Sequence, residues 1–379
     1  MKYFLHQLDQ LVRTPSVSCT DPKLDMGNRA VVELLANWLD HLDFDIEILP
    51  VGDNPNKVNL IATRGSGPGG LVLAGHTDTV PYIEQYWGRD PLKVTVENNR
   101  AYGLGATDMK GFFPVVLAAI QSVIDTPLQQ PLIVLATADE ETSMAGARSL
   151  AEQGRPKARY AVIGEPTGLQ PIRMHKGMAM EAVHIIGKSG HSSNPDMGIN
   201  ALDSMHDVMT VLKQFRQQLQ AQYRHPGFRV DMPTLNLGCI HGGDNPNRIC
   251  EQCELAFDLR PLPGMSLETL RAAIDQQLDD IAEKNRVKIT RRSLFHGINA
   301  FEQSADSDLI TTVEQLTGHS ADSVAFATEA PFLQQLGMDV VVMGPGSIDQ
   351  AHQPDEYISL DQVEPAVKIL EGVIKRYCL

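Results

Sequence analysis

Apolar residues recur at two different periods along this chain, and each period predicts a different secondary structure. Because the two kinds of segment alternate, we expect an α/β domain whose mostly parallel sheet is flanked by helices. Spacings of three and four predict helices at residues 3–12, 28–42, 110–124, 145–153 and 306–317, and from about 361. Short apolar runs predict buried strands at residues 58–62, 71–74, 132–136, 160–163 and 340–343.

The pattern changes near Gly177. Strands with a period of two are predicted at residues 178–187, 235–240, 253–259 and 287–294, and helices at 199–223 and 266–283. This block is typical of a self-contained α+β unit. We therefore expect one α/β domain formed by residues 1–176 and 295–379, interrupted by an inserted α+β domain at residues 177–294.

Composition narrows the classes of function and partner. A formal net charge of -15 argues against nucleic acid or an anionic membrane as a partner. No apolar run approaches the roughly 18 residues of a membrane span, and the start turns polar too soon for a signal peptide. Five cysteines are too few for a disulfide scaffold, so we expect a cytoplasmic protein.

Candidate chemistry begins directly after the predicted strand at 71–74, where His76 and Asp78 stand two residues apart. Residues two apart in an extended segment point the same way, so the carboxylate could orient the imidazole of a metal-binding histidine. The alternative is a buried histidine with an ordinary hydrogen bond, and this stretch alone favours that alternative.

The remaining candidates favour the metal interpretation because five strand ends of one predicted sheet each deliver a possible ligand. Any one of these acids could belong to a solvated turn, but carboxylates gathered in one place repel unless a cation compensates them. Nitrogen and oxygen donors without a thiolate suit a catalytic site for zinc, cobalt or manganese. The further candidates are Asp108, Glu140, Glu141, Glu165 and His352.

Short motifs along nearly the whole chain resemble those of the co-catalytic zinc aminoacylase and carboxypeptidase family. The resemblance implies a zinc-peptidase-like catalytic domain interrupted by a dimerisation and lid domain. The motifs are Gly-His-Thr-Asp-Thr-Val-Pro at 75–81, Gly-Ala-Thr-Asp-Met-Lys-Gly at 105–111, Ala-Asp-Glu-Glu-Thr at 138–142, Gly-Glu-Pro-Thr at 164–167, Ser-Gly-His-Ser-Ser at 189–193, Asn-Arg-Ile at 247–249 and Gly-Pro-Gly at 344–346.

The same resemblance implies two divalent metal ions per chain, with zinc as the first expectation and cobalt as the second. It assigns Asp108 as the bridge between the ions, with His76 and Glu165 on one ion and Glu141 and His352 on the other. From the residues alone, either Glu140 or Glu141 could bind metal while the other accepts the proton of the attacking water, and the resemblance implies that Glu140 is this general base. Asp78 would orient His76.

The inserted domain is implied to pair two subunits, so that His191 reaches the partner's active site in a homodimer. Arg248, beside Asn247, could bind a substrate carboxylate with two parallel hydrogen bonds. Cys250 and Cys253 could form a redox pair, but their position leading into a strand favours a structural role.

For the reaction, the resemblance implies hydrolysis of a small N-acyl amino acid, first of all N2-acetyl-L-ornithine in arginine biosynthesis. Two alternatives stay open within the family: an N-succinyl-diaminopimelate substrate and a dipeptide. A third alternative, from another class, is a metal-binding module that has lost catalysis. The presence of Glu140 argues against it, because an inactive relative could lose the base while it keeps the ligands.

Overall fold

A computed structural model describes all 379 residues and divides the chain into two compact units. The second unit comprises residues 174–302 and 323–327, and the first comprises the rest of the chain. The chain enters the second unit at residue 174 and leaves it after residue 302, whereas the sequence predicted these boundaries at residues 177 and 294. The strands at these boundaries are at most four residues long, which is too short to show a periodic pattern. None of the helices is both long and apolar enough to span a bilayer.

Helices and strands alternate through the first unit and around the second. The helices are α1 (Lys2–Val12), α2 (Arg29–Asp40), α3 (Phe112–Ser122), α4 (Ala145–Gln153), α5 (Ala201–Gln222), α6 (Leu267–Asn285), α7 (Asp308–Thr317), α8 (Ala330–Gln335) and α9 (Val363–Cys378). The strands are β1 (Asp45–Val51), β2 (Asn54–Arg64), β3 (Leu71–His76), β4 (Thr95–Glu97), β5 (Arg100–Tyr102), β6 (Leu132–Thr137), β7 (Tyr160–Pro166), β8 (Ile172–His175), β9 (Ala179–Ile186), β10 (Thr234–Gly242), β11 (Gln252–Arg260), β12 (Lys288–Ser293), β13 (Phe301–Glu302), β14 (Asp322–Val324), β15 (Asp339–Gly344) and β16 (Tyr357–Ser359).

The large sheet has the strand order β1-β2-β6-β3-β7-β15-β8-β13, and β14 also pairs with β8. Its central strands β6, β3, β7 and β15 are parallel, whereas β1, β2 and β8 pair antiparallel with their neighbours. Every residue of β3, β6 and β7 is buried, so both faces of the sheet are covered. The predicted α/β fold is confirmed, and parallel pairing holds for the four central strands.

A small antiparallel sheet with the order β16-β5-β4 was not predicted, because its strands are only three residues long. Asp108 lies in the turn region between β5 and α3. The expectation that all candidate ligands follow strands of one sheet was therefore wrong for Asp108. The others follow, or lie at the carboxyl ends of, the four parallel strands, which meet at the same edge.

In the second unit, β10, β11, β9 and β12 form an antiparallel sheet, and α5 and α6 pack against it. Alternate residues of β11 are buried, as the period of two predicted. The side chain of Ser266 caps α6, also as predicted. Cys250 and Cys253 are free thiols in this core, and burial raises the pKa of Cys253 to about 11. That shift disfavours a reactive thiolate and favours the structural alternative.

Candidate metal centre

The last residue of β3 is His76, whose side chain is 1% exposed. Its Nδ1 lies 2.9 Å from the backbone carbonyl oxygen of Asp78, so Nδ1–H donates this bond and Nε2 is the nitrogen that remains to face the cluster. Nε2 lies 3.0 Å from Asp108 Oδ1 and 4.0 Å from Glu165 Oε1. The backbone therefore turns the histidine so that Nε2 faces two buried carboxylates.

Asp108 lies between two histidines, and each of its carboxylate oxygens faces one of them. Oδ1 lies 3.0 Å from His76 Nε2, and Oδ2 lies 3.3 Å from His352 Nε2. His352 Nε2 also lies 3.0 Å from Glu141 Oε2. One carboxylate thus separates two groups of donors, as a ligand shared by two ions would.

Ligand atoms of His76, Glu140 and Glu165 all lie within 4.8 Å of one another, and so do those of His76, Asp108 and Glu141. Glu140 therefore meets the distance requirement for a metal ligand, a different role from the base expected from the sequence. The two adjacent glutamates join different groups.

Four acids in or near this cluster each have one buried oxygen without a hydrogen-bond partner. The oxygens without a hydrogen bond are Asp78 Oδ1, Glu141 Oε1, Glu165 Oε1 and Glu329 Oε1. Burial, followed by repulsion from Glu165, raises the pKa of Glu140 well above its usual range. Hydrogen bonds with Asp108 and Glu141 raise the pKa of His352 to about 10. Orphaned oxygens in an acidic, buried cluster with two imidazoles fit a site for hard or borderline divalent cations.

The turn that carries Glu140 and Glu141 is held from both sides. Asp139, at its start, has a φ of 58°, in the left-handed region. Its Oδ1 accepts hydrogen bonds from Lys57 Nζ at 2.7 Å and Ser18 Oγ at 2.8 Å. At the other end of the turn, Asp78 Oδ2 accepts the Glu141 backbone N–H at 3.0 Å.

Asp78 has a contact that the sequence did not suggest. Its carboxylate Oδ1 is 3.8 Å from His76 Nδ1, farther than its own carbonyl oxygen, which accepts the hydrogen bond at 2.9 Å. The carboxylate is therefore close to His76 without a hydrogen bond to it, while it binds the Glu141 backbone directly.

His191, Asn247 and Arg248 lie in the second unit, on two exposed loops that contact each other. A backbone bridge joins His191 to Arg248, and the Ser192 N–H donates to the Asn247 carbonyl at 3.0 Å. Arg248 Nη1 is 2.7 Å from Asp244 Oδ2, so the guanidinium pairs with a neighbouring acid. All the candidate metal ligands lie in the first unit.

Two buried glutamates near the cluster were missed from the sequence. Glu329 accepts a hydrogen bond from Thr137 Oγ1 at 2.9 Å, and Glu356 binds the loop that carries Asp108. Neither lies in a motif or a periodic segment, so only the fold reveals them.

A cavity of about 180 Å³ lies beside His352. Aromatic and aliphatic side chains after Asp78 form much of its wall. The main ones are Val80, Pro81, Tyr82, Ile83, Tyr86 and Trp87. This mainly apolar space adjoins one of the two histidines of the cluster.

Comparison with known proteins finds relatives that cover nearly the whole chain. A protein named acetylornithine deacetylase from Vibrio cholerae serotype O1 is 48% identical over 375 residues, which cover 99% of this chain and 98% of that protein. Another of that name, from Photorhabdus laumondii, is 45% identical over 376 residues, covering 99% and 97%. The M20 family metallo-carboxypeptidase Sso-CP2 from Sulfolobus solfataricus shares the fold, with a TM-score of 0.76, 19% identity, and coverage of 99% of each chain.

The sequence profile of Peptidase family M20/M25/M40 matches residues 72–376, a span that contains every residue of the cluster. This match and the full-length relatives establish the family membership that the motifs suggested. The protein is a member of Peptidase family M20/M25/M40.

Proposed function

We propose that this protein is a metal-dependent amidohydrolase that converts N2-acetyl-L-ornithine and water to L-ornithine and acetate. Relatives that carry the name acetylornithine deacetylase align at 45% to 48% identity over nearly the whole chain. The single observation that carries the proposed chemistry is Asp108, whose two oxygens face His76 and His352 separately.

The donor set supports two divalent ions, zinc first and cobalt second. His76 and Glu165 would hold one ion, Glu141 and His352 the other, and Asp108 would be shared. Such ions, when bound, polarise an amide carbonyl and lower the pKa of water. The orphaned oxygens of Glu141 and Glu165 support the fit.

Glu140 is proposed to move the proton. Its carboxylate would accept a proton from the attacking water and pass it to the amine as the C–N bond breaks, a contribution of about 10²–10⁴-fold. The turn from Asp139 to Glu141 is held by Lys57 and Asp78, which supports a fixed position for the base.

For the substrate, the cavity beside His352 is proposed to receive part of the N-acyl amino acid. Arg248, with Asn247 next to it, is proposed to bind the carboxylate. Its guanidinium would exchange Asp244 for the substrate, and a bidentate pair suits a carboxylate better than lysine does. We further propose that the enzyme acts in arginine biosynthesis in the cytoplasm.

The test of substrate is a product assay on the purified, metal-loaded protein. N2-acetyl-L-ornithine, N-succinyl-diaminopimelate and a dipeptide are supplied separately, and free amine and acid are quantified. We expect the highest kcat/KM for acetylornithine, with ornithine and acetate released in equal amounts. A higher value for either alternative would replace the substrate, and no hydrolysis of any would favour the inactive metal-binding module.

We also propose a homodimer in which His191 stabilises the oxyanion in the partner's site. His191 is exposed and belongs to the second unit, whereas every candidate metal ligand belongs to the first. This separation supports a role for His191 other than metal binding. Chains with Glu140→Gln and His191→Ala are each expected to be inactive. After verified subunit exchange, a mixed dimer combines one intact Glu140 with one intact His191, so activity should return.

A control mixture of two Glu140→Gln preparations must stay inactive. If exchanged heterodimers are as inactive as their parents, His191 does not act across the interface. The substrate assignment would survive that result, because it does not depend on subunit pairing.

A further inference from the structure

Glu356 is a buried acid that receives three backbone hydrogen bonds from one loop. The residue is only 2% exposed. Oε2 accepts the Gly105 N–H at 2.9 Å, and Oε1 accepts the N–H groups of Thr107 at 2.8 Å and Asp108 at 3.0 Å. The carboxylate is therefore surrounded by three backbone donors, and one of them is the N–H of Asp108, the residue at the centre of the candidate metal site.

The backbone beside Glu356 strengthens the same connection. The Gly103 N–H donates to the Glu356 carbonyl oxygen at 3.0 Å, and Thr107 Oγ1 donates to the Tyr357 carbonyl at 2.8 Å. Gly105 has a φ of 75°, a conformation that glycine adopts without strain. These bonds fold the loop around the carboxylate.

Glu356 also lies four residues after His352, so it joins two segments that carry candidate ligands. Asp108 is on one segment and His352 on the other, and Asp108 Oδ2 lies 3.3 Å from His352 Nε2. A change in the loop around Gly105 would move Asp108 relative to His352. The spacing of these two donors thus depends on the bonds that Glu356 accepts.

We propose that Glu356 is a positioning residue of the metal centre, whose carboxylate ties the Asp108 segment to the His352 segment and sets their spacing. This inference rests on the proposed metal site. The effect should be larger on the ion that Asp108, Glu141 and His352 would hold than on the ion that His76 would hold. Groups that hold ligands in place commonly change metal affinity by about 10- to 100-fold when they are replaced.

The test variant is Glu356→Gln, which keeps the size of the side chain. A glutamine oxygen can still serve Thr107 and Asp108, but its NH₂ group then faces the Gly105 N–H, donor against donor. The matched control is Asp355→Asn. Asp355 is the adjacent acid, accepts the Gly88 N–H at 3.1 Å and pairs with Arg89 at 3.5 Å, and it forms no hydrogen bond with the loop that carries Asp108.

Cobalt(II) is the probe, added to metal-free full-length protein in competition with a chelator of known affinity. Wild type and Asp355→Asn should bind two ions with matching affinities. Glu356→Gln should bind one ion about 10- to 100-fold more weakly and the other within about threefold. Its visible cobalt spectrum should change for the weakened ion only. Excess cobalt should restore the occupancy.

Unchanged affinities and spectrum in folded Glu356→Gln would overturn the inference, even if the protein unfolded at a lower temperature. If that variant does not fold, Glu356→Asp takes its place: it keeps the charge but is too short to reach all three donors, and it must show the same selective weakening. Wild-type protein that binds no cobalt would instead refute the proposed metal site, so the two failures are distinguishable.

Discussion

Asp78→Asn separates the charge of a buried acid from its hydrogen bond. In the wild type, Asp78 Oδ2 accepts the Glu141 N–H at 3.0 Å, and Oδ1 lies 3.8 Å from His76 Nδ1. Asparagine can still accept from Glu141 through its amide oxygen, but it carries no charge. His76 keeps the hydrogen bond to the carbonyl oxygen of residue 78, so its ring should stay in place.

The distance sets the size of the effect. A unit charge 3.8 Å away interacts with a full positive charge by about 4 kcal/mol at an effective dielectric constant of about 20. A metal-bound imidazole is neutral and carries only part of such a charge, so the loss should be smaller. Outer carboxylates of metal-bound histidines are worth about 10- to 100-fold in affinity or activity. That range corresponds to about 1.4 to 2.7 kcal/mol.

The assay is a metal competition titration combined with kcat/KM for N-acetylornithine. Asp78→Asn should lose about 10- to 100-fold in one or both quantities. Asp78→Ala should lose more, because it also frees the Glu141 N–H and the turn that carries the proposed base. If Asp78→Asn matches the wild type, the charge does not act on His76. If Asp78→Ala is no worse than Asp78→Asn, the Glu141 bond does not position the turn.

Three further substitutions test other buried or partly buried polar groups. Glu140→Gln should keep the bound metal while turnover falls by about 10²-fold or more, and near-normal turnover would remove Glu140 as the base. Lys57→Met leaves Asp139 and Asp25 without their shared cation in a partly buried position, so denaturant unfolding should show a loss of about 1 to 3 kcal/mol, and an unchanged free energy of unfolding would contradict the network. Burial lowers the pKa of His175 to about 4 from 6.5, so the unfolded chain binds more protons between these values. The wild type should lose about 2 kcal/mol through this residue from pH 7 to pH 5, a slope that His175→Gln should lack in unfolding titrations.

Much of the fold could be predicted because its elements bury a regular pattern. The helix predicted at 145–153 is present as Ala145–Gln153, and the run at 132–136 lies in the strand Leu132–Thr137. Strands of two to four residues escaped prediction, since a period of two cannot be recognised over so short a length. The antiparallel edges of the large sheet also escaped, because the order of strands depends on contacts distant in sequence.

Some residues of the candidate site could likewise be predicted from the sequence, and others could not. His76, Glu140 and Glu165 could be found because each lies at, or just after, the end of a buried strand. Glu356 could not, since its partners lie about 250 positions away and the pair Asp355-Glu356 looks like ordinary surface charge. The sequence likewise showed that Asp78 stands near His76, but not that a carbonyl oxygen orients the ring.

Hydrolysis of N2-acetyl-L-ornithine is expected to depend on ions held around Asp108. The most direct measurement titrates zinc into verified metal-free protein and records bound metal and released ornithine on the same samples. We expect no turnover without metal, activity that rises as the sites fill, and ornithine and acetate in equal amounts. Full turnover by metal-free protein, or a filled two-ion site that leaves acetylornithine intact, would contradict this expectation.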